Sequence, residues 1–189
     1  LPLIIFLLWL FLYADFNPTR YITQSVSNIR PHPSYLFSIL LFICLNIIAI
    51  FAYHRLPQGD AIGLSFQAKI FALGKLSVPA PPFPEFFMPF RVHVQNGNWF
   101  SFYPPGHALL LSIGYVLKVP WLIGPILGTC TFIIIYLIAL RQYGREVALL
   151  TSGFALLSPF FLFLNASYDF HISSLFITSL SLYLVLIID

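Results

Sequence analysis

The sequence predicts an all-α fold: a polytopic bundle of transmembrane helices with one large extracytoplasmic loop that carries amphipathic juxtamembrane helices. Three observations predict it. Of the 189 residues, 59% are hydrophobic and only 8% are charged, with a mean hydropathy of +0.91. A soluble core of this size needs a polar shell that such a composition cannot supply. Four uncharged runs come near the about 20 apolar residues that cross a bilayer. The stretch between the first two of them, residues 54–118, is rich in proline and aromatic residues yet keeps regular periodicity.

The elements follow in order. Residues 1–14 read as a truncated span, because they lack both a basic leader and a small-x-small cleavage site. One apolar run is already under way at Leu1 and another closes at Asp189. The expectation is therefore the N-terminal part of one longer transmembrane domain, covering 1–189. Residues 35–53 form the first full span, closed by His54 and Arg55. Three more follow: 119–140 between Lys118 and Arg141, then 147–164, then 172–188. Pro120, Pro125 and Pro159 fall near the ends of these runs, where a missing N–H does least harm.

The loop over about 54–118 has its own structure. Ile62, Phe66, Ile70 and Leu73 recur at helical spacing, widened by Leu64 and Phe71, with Gln67, Lys69 and Lys75 on other faces. This predicts an amphipathic helix of about four turns that ends near Gly74 and lies Phe-side down at the interface. Prolines 79, 81, 82, 84 and 89 then forbid regular helix. The interleaved Phe83, Phe86, Phe87, Met88 and Phe90 suit the headgroup boundary. Val92-His93-Val94 and Trp99-Phe100-Ser101-Phe102 flank Asn96-Gly97-Asn98 and predict a small hairpin. Residues 108–117 are apolar but too few to cross, so they predict a helix along the membrane surface.

That short helix decides the topology. If it does not cross, residues 54–118 and the corner at 165–171 share the outer side. The turn holding Arg141, Arg145 and Glu146 is then cytoplasmic, as is the loop with Arg20 and Arg30, in line with the positive-inside rule. The two carboxylates Asp60 and Asp169, each just past an apolar run, then face the same water. Ionisable groups at membrane edges are costly and point to function.

Other chemistry is sparse. The net charge of +3 is small and scattered, which argues against a nucleic-acid partner. Cys44 and Cys130 lie within apolar runs and read as small hydrophobes. No CxxC, HExxH, Walker or GxGxxG pattern occurs. Asn165-Ala166-Ser167 fits a glycosylation sequon but sits too near the bilayer to serve as one.

Several segments together resemble one family. They are Gly59-Asp60, Gln67-Ala68-Lys69-Ile70-Phe71-Ala72, Gly74-Lys75-Leu76, Val78-Pro79-Ala80-Pro81-Pro82, Pro84-Glu85-Phe86-Phe87, Tyr103-Pro104-Pro105-Gly106-His107, Ser158-Pro159-Phe160 and Ala166-Ser167-Tyr168 with His171. In this order, over about residues 35–189, they resemble the GT-C glycosyltransferases, nearest the bacterial protein O-mannosyltransferase and aminoarabinose-transferase-like group. The resemblance implies an enzyme of the bacterial inner membrane with its site on the periplasmic face. It would move a sugar from a polyprenyl-phosphate donor to an acceptor lipid, glycan or protein. It also implies that Asp60 is the acidic residue of the first outer loop. The family often has Asp-Glu there; this chain has Asp60-Ala61, so the second acid has no counterpart.

Such a reaction needs a base for the acceptor and positive charge for the departing phosphate. Asp60 is the catalytic candidate. Lys69, Arg91, Tyr103 and His107 are candidate substrate-binding residues, with Lys75 a further phosphate partner. Asp169 and His171 could orient the acceptor or hold a divalent metal ion. Each has a plainer reading. Asp60 could only cap the following helix; Lys69 and Lys75 could only snorkel; His107 could only open the short helix; and Asp169 and His171 could be wet loop residues. Two rival readings remain at the level of sequence: a transport-type or non-catalytic membrane protein, and an inactive member that binds a carrier lipid.

Overall fold

The computed structural model describes residues 34–188. The expected span over 1–14, with Arg20 and Arg30 after it, lies outside the described residues. What is described is mostly helix. Helix α1 is Ser34–Phe51, α2 is Ala61–Ala72, α3 is Pro105–Val116, α4 is Ile123–Tyr143, α5 is Arg145–Leu157, α6 is Pro159–Ala166 and α7 is His171–Ile188. Strands β1 (Val78–Pro79), β2 (Val92–Gln95) and β3 (Asn98–Ser101) form a small antiparallel sheet in the order β1-β3-β2.

Two helices are long and apolar enough to cross a membrane. Pro120–Tyr143, a 3-10 turn run into α4, has 24 residues and a mean hydropathy of 2.2; α7 has 18 residues and 2.0. The expected spans 119–140 and 172–188 therefore correspond to single helices. The expected span 35–53 is met by α1, which stops at Phe51; its apolar part Leu36–Phe51 is shorter than a crossing over the described residues.

The expected span 147–164 is interrupted. It is not one helix: α5 and α6 meet at a 68° bend. Pro159 supplies no N–H, and its ring drives the preceding residue out of helical conformation. Ser158 accordingly sits at φ −82, ψ 108, and its side chain caps the new helix by accepting the Phe161 N–H at 3.3 Å. Pro159 thus starts a helix, where the sequence reading placed it near the end of one.

Helix α4 is the hub of the bundle and packs against α1, α5, α6 and α7. Leu41, Leu45 and Ala49 of α1 meet Phe132 of α4 and Ala166 of α6 in one buried cluster. Asn165 is wholly buried where α6 crosses α4, and that crossing runs over Gly124 and Gly128.

Outside the bundle, α2 packs on α3, and the sheet packs on the other side of α2. The short helix was expected over 108–117; it begins earlier, at Pro105, and its 12 residues give about 18 Å, well under a bilayer core. The predicted stripe on α2 is divided: Leu64 and Ile70 are buried, whereas Leu73 is exposed. Ile62 is exposed, and Phe66 is half-buried against the Trp99 ring, 4.9 Å away. The buried face toward α3 is Ala61, Leu64, Ser65 and Ala68, with Ala108 and Leu111 opposite. Small side chains beside Leu64 let the two short helices approach closely.

The helix ends as predicted. Gly74 takes the left-handed conformation, φ 71, while the Gly74 and Lys75 N–H groups bond back to Phe71 and Ile70. The hairpin is also as predicted, with Asn96 and Gly97 both at positive φ, as its tight turn requires. Strand β1 is an addition: Val78 pairs with Trp99, and the prolines around it keep it at the edge.

Gln67 ties this cap together. It is buried, its amide Nε2 donates to the Leu76 carbonyl at 2.9 Å, and its Oε1 accepts the Ser101 N–H at 2.8 Å. Gln67→Leu leaves both backbone groups without partners, an expected loss of about 1–3 kcal/mol for each. Limited proteolysis of the membrane-embedded protein should then cut faster between Leu76 and Ser101; cutting at the unaltered rate would show that the amide is dispensable.

Candidate functional site

Asp60 stands at the turn into α2, just after Gly59, which has φ 54. Its side chain makes no capping hydrogen bond, so the capping explanation for this residue does not hold. The carboxylate instead faces Arg91, with Nε 3.9 Å from Oδ1. Both side chains are close to half exposed, at 49% and 42%, so the pair is loose and adds little to stability.

Arg91 reaches this place because Gly63 lets the chain come down on α2. A Cβ at residue 63 would lie 3.0 Å from the Phe90 carbonyl oxygen and 3.1 Å from the Arg91 Cβ. Arg91 itself has φ 63, and its carbonyl accepts the Phe102 N–H at 2.9 Å. Tyr103 completes the group. Its phenol is held above the ordinary value of 10.0, first by burial and then by the nearby Asp60 carboxylate, with Arg91 opposing.

Across from Asp60 lies Asp169. Both line one cavity of about 430 Å³ with Tyr53, Gln58, Phe160 and Ser167. Asp169 is fixed by its own corner: its Oδ1 accepts the Phe170 N–H at 2.9 Å, and its N–H donates to Ser167 Oγ at 3.1 Å. The Tyr168 hydroxyl donates to the Arg55 carbonyl at 2.8 Å, which fastens the α6–α7 corner to the loop before Asp60. The two carboxylates named from sequence therefore do face a common space.

A second cavity, about 590 Å³ and mainly apolar, lies between α2, α3 and α7. Leu64, Leu110, Phe170 and Ile177 line it, with Tyr103 and His107. The rings of Tyr103 and Phe170 are 5.6 Å apart. Tyr103 therefore belongs both to the carboxylate group and to the wall of the apolar cavity.

His107 is buried. Its Nε2 lies 3.0 Å from the Tyr168 carbonyl oxygen, which can only accept, so Nε2 carries the proton of the neutral ring. Nδ1 faces the Ser173 hydroxyl at 3.1 Å. Burial pushes the imidazole below its ordinary value of 6.5, opposed by the Tyr168 carbonyl and the Asp169 charge. As pH falls below 6.5 the unfolded chain takes up a proton before the folded one does. The stability tied to neutral His107 is thus complete above that value and is lost toward the depressed one. His107→Gln, which keeps a donor for the Tyr168 carbonyl, should flatten this fall in thermal unfolding between about pH 5 and 7. An equally steep fall in the variant would assign it to another group.

Lys69 and His171 are not brought to the carboxylates. Lys69 is exposed, with Nζ 5.5 Å from the centre of the Tyr115 ring, and His171 is exposed against Phe170 at 4.2 Å. Neither lines either cavity. Among the described residues, no three His, Cys, Asp or Glu side chains converge as a metal site. Tyr53, Ser167, Phe170 and Ser173 belong to the surroundings of the site without having been singled out from sequence. Tyr53 and Ser167 had a cue in their place at span ends; nothing in the sequence links Ser173 to His107, 66 residues away. Searches against protein-family models, curated proteins and solved structures give no match.

Proposed function

We propose that this chain belongs to an integral membrane glycosyltransferase that moves a sugar from a polyprenyl-phosphate donor to an acceptor outside the cytoplasm. In this reading α1, α4, the α5–α6 pair and α7 are embedded in the bilayer as a polytopic bundle, in bacteria that of the inner membrane. Residues 54–118 and the α6–α7 corner then share the periplasmic side.

One observation carries the reading: Asp60, paired with Arg91, lines a cavity that also holds Asp169, while the neighbouring Tyr103 lines a more apolar one. An amphiphile whose reactive end is a sugar phosphate needs that juxtaposition. The acceptor hydroxyl attacks the anomeric carbon, and its proton passes to the Asp60 carboxylate. The bond from that carbon to the phosphate oxygen breaks, and its electron pair leaves with the phosphate. Arg91, beside Asp60, would meet the charge so formed. The loose pair suits both tasks, because a phosphate that engages Arg91 leaves Asp60 available as base. Asp169, across the cavity, would orient the acceptor. The apolar cavity offers room for the first isoprene units of the carrier.

The 68° break between α5 and α6 favours a second reading, since transporters use discontinuous helices. A third reading is a member that binds the carrier without turnover, given Ala61 where the family often has a second acid. One experiment separates the three. Membrane vesicles holding the protein are given a polyprenyl-phosphate donor with a labelled sugar. Release of free polyprenyl phosphate with label on an acceptor supports the transferase. Label accumulating inside the vesicles supports transport, and retention of intact donor supports binding alone.

A further inference from the structure

The segment between β1 and β2 is built unlike the rest of the cap. Phe83, Phe86 and Phe87 are exposed by 69%, 78% and 61%, and Met88 and Phe90 by about half. Apolar residues this exposed, this close together, mark an interaction surface. The segment also has a fixed shape. Phe83 is in the left-handed conformation, φ 55, and opens a 3-10 turn over Pro84–Phe86. The Phe86 and Phe87 N–H groups bond to the Phe83 and Pro84 carbonyls at 3.2 and 2.9 Å. Pro81, Pro82, Pro84 and Pro89 have no N–H at all.

We infer that residues 83–90 form a knuckle that inserts into the outer leaflet of the bilayer holding the helices. Three features favour lipid over a protein partner. Half of the eight residues present no free backbone donor, since Pro84 and Pro89 have no N–H and those of Phe86 and Phe87 are bonded within the turn, which lowers the cost of leaving water. The knuckle is flanked by cations: Arg91 follows it directly, and Lys75 precedes β1, as at a headgroup layer. It is also close to membrane-embedded structure, since Arg91 pairs with Asp60, and Asp60 shares a cavity with Phe160 and Phe163 of α6. Glu85, the one acid in the segment, limits the depth to the headgroup boundary. The Phe-rich contact with the interface expected of α2 thus passes to the knuckle, because Phe66 is covered by Trp99.

The inference is independent of the sugar-transfer reading, since a transporter could carry the same anchor. Its test uses the unaltered protein in phospholipid liposomes with a diazirine placed on the acyl chain. After illumination and digestion, label is expected on residues 83–90 and not on the hairpin turn at 95–98. In a second measurement, nitroxides at Phe86→Cys and Phe87→Cys, with Cys44 and Cys130 replaced by Ala, should collide more with oxygen than with a water-soluble nickel chelate; Asn96→Cys should show the reverse. Equal chelate access at 86 and 96 overturns the inference. Protection of 86 and 87 from both reagents also overturns it, because that result means a protein partner.

Discussion

Under the proposed transferase reading, Asp60→Asn is expected to lower sugar transfer by about 10²–10⁴-fold, the range removed with a general base. The folded protein should remain in the membrane in normal amount. The second half of that expectation comes from the geometry. Asp60 gives no capping hydrogen bond to α2, and its pairing with Arg91 is long and exposed, so little stability goes with the charge. Asn keeps the size of the side chain while losing the basicity. Asp169→Asn should cost less, because that carboxylate is engaged with the Phe170 N–H and lies across the cavity. The measurement is release of polyprenyl phosphate from labelled donor, beside a membrane-extraction control for folding. Transfer at the normal rate in Asp60→Asn would remove Asp60 as base.

Gly128→Ala is expected to destabilise the bundle by about 1–3 kcal/mol, the usual cost of forcing an extra carbon into a packed interior. Its Cβ would come 2.6 Å from the Asn165 Cβ. Gly124→Ala should behave alike, with Ser167 and Asn165 carbonyl oxygens at 2.5 and 2.8 Å from the new atom. These contacts are with backbone and with a wholly buried side chain, so neither can swing away. Close helix approach over Gly-x-x-x-Gly is a known device in membranes, and here it carries an eight-residue helix rather than a full span. Gly153→Ala is the control: nothing lies within 4 Å of its Cβ position, and Ala should leave stability unchanged or raise it by up to about 1 kcal/mol. Thermal unfolding in detergent gives the comparison. Equal melting temperatures for Gly128→Ala and Gly153→Ala would mean that the crossing is looser than described.

Much of this was readable from the chain, and the failures have physical causes. Gly-Asp before a helical pattern marked Asp60, and Asn-Gly marked the hairpin, because turn chemistry is local. The partnership of Asp60 with Arg91 is not local. It depends on Gly63, whose missing side chain lets a segment 28 residues later settle onto α2. The buried face of α2 was legible in part: Leu64 and Ile70 are buried, but periodicity weights large apolar residues and passes over the small ones. Close packing on α3 selects Ala61, Ser65 and Ala68, while Trp99 claims Phe66. The break at Ser158-Pro159 was open to reading, since Ser followed by Pro is a helix-start signature; uniform hydrophobicity across 147–164 masked it. Strand β1 has two residues beside prolines, too short for any alternating pattern.

The bend at Ser158 also bears on the order in which the chain can be built into a bilayer. An eight-residue helix is about 12 Å long and cannot lodge in hydrocarbon by itself. Backbone groups freed at the bend would each cost several kcal/mol in lipid. Helix α6 is held only through others: Tyr53 donates to the Phe163 carbonyl at 3.2 Å, and Gly124 and Gly128 receive Asn165. All three of those residues are synthesised earlier than α6. The receiving surface therefore exists before the segment that needs it emerges, and the corner bearing Asp169 takes shape on a scaffold already in place.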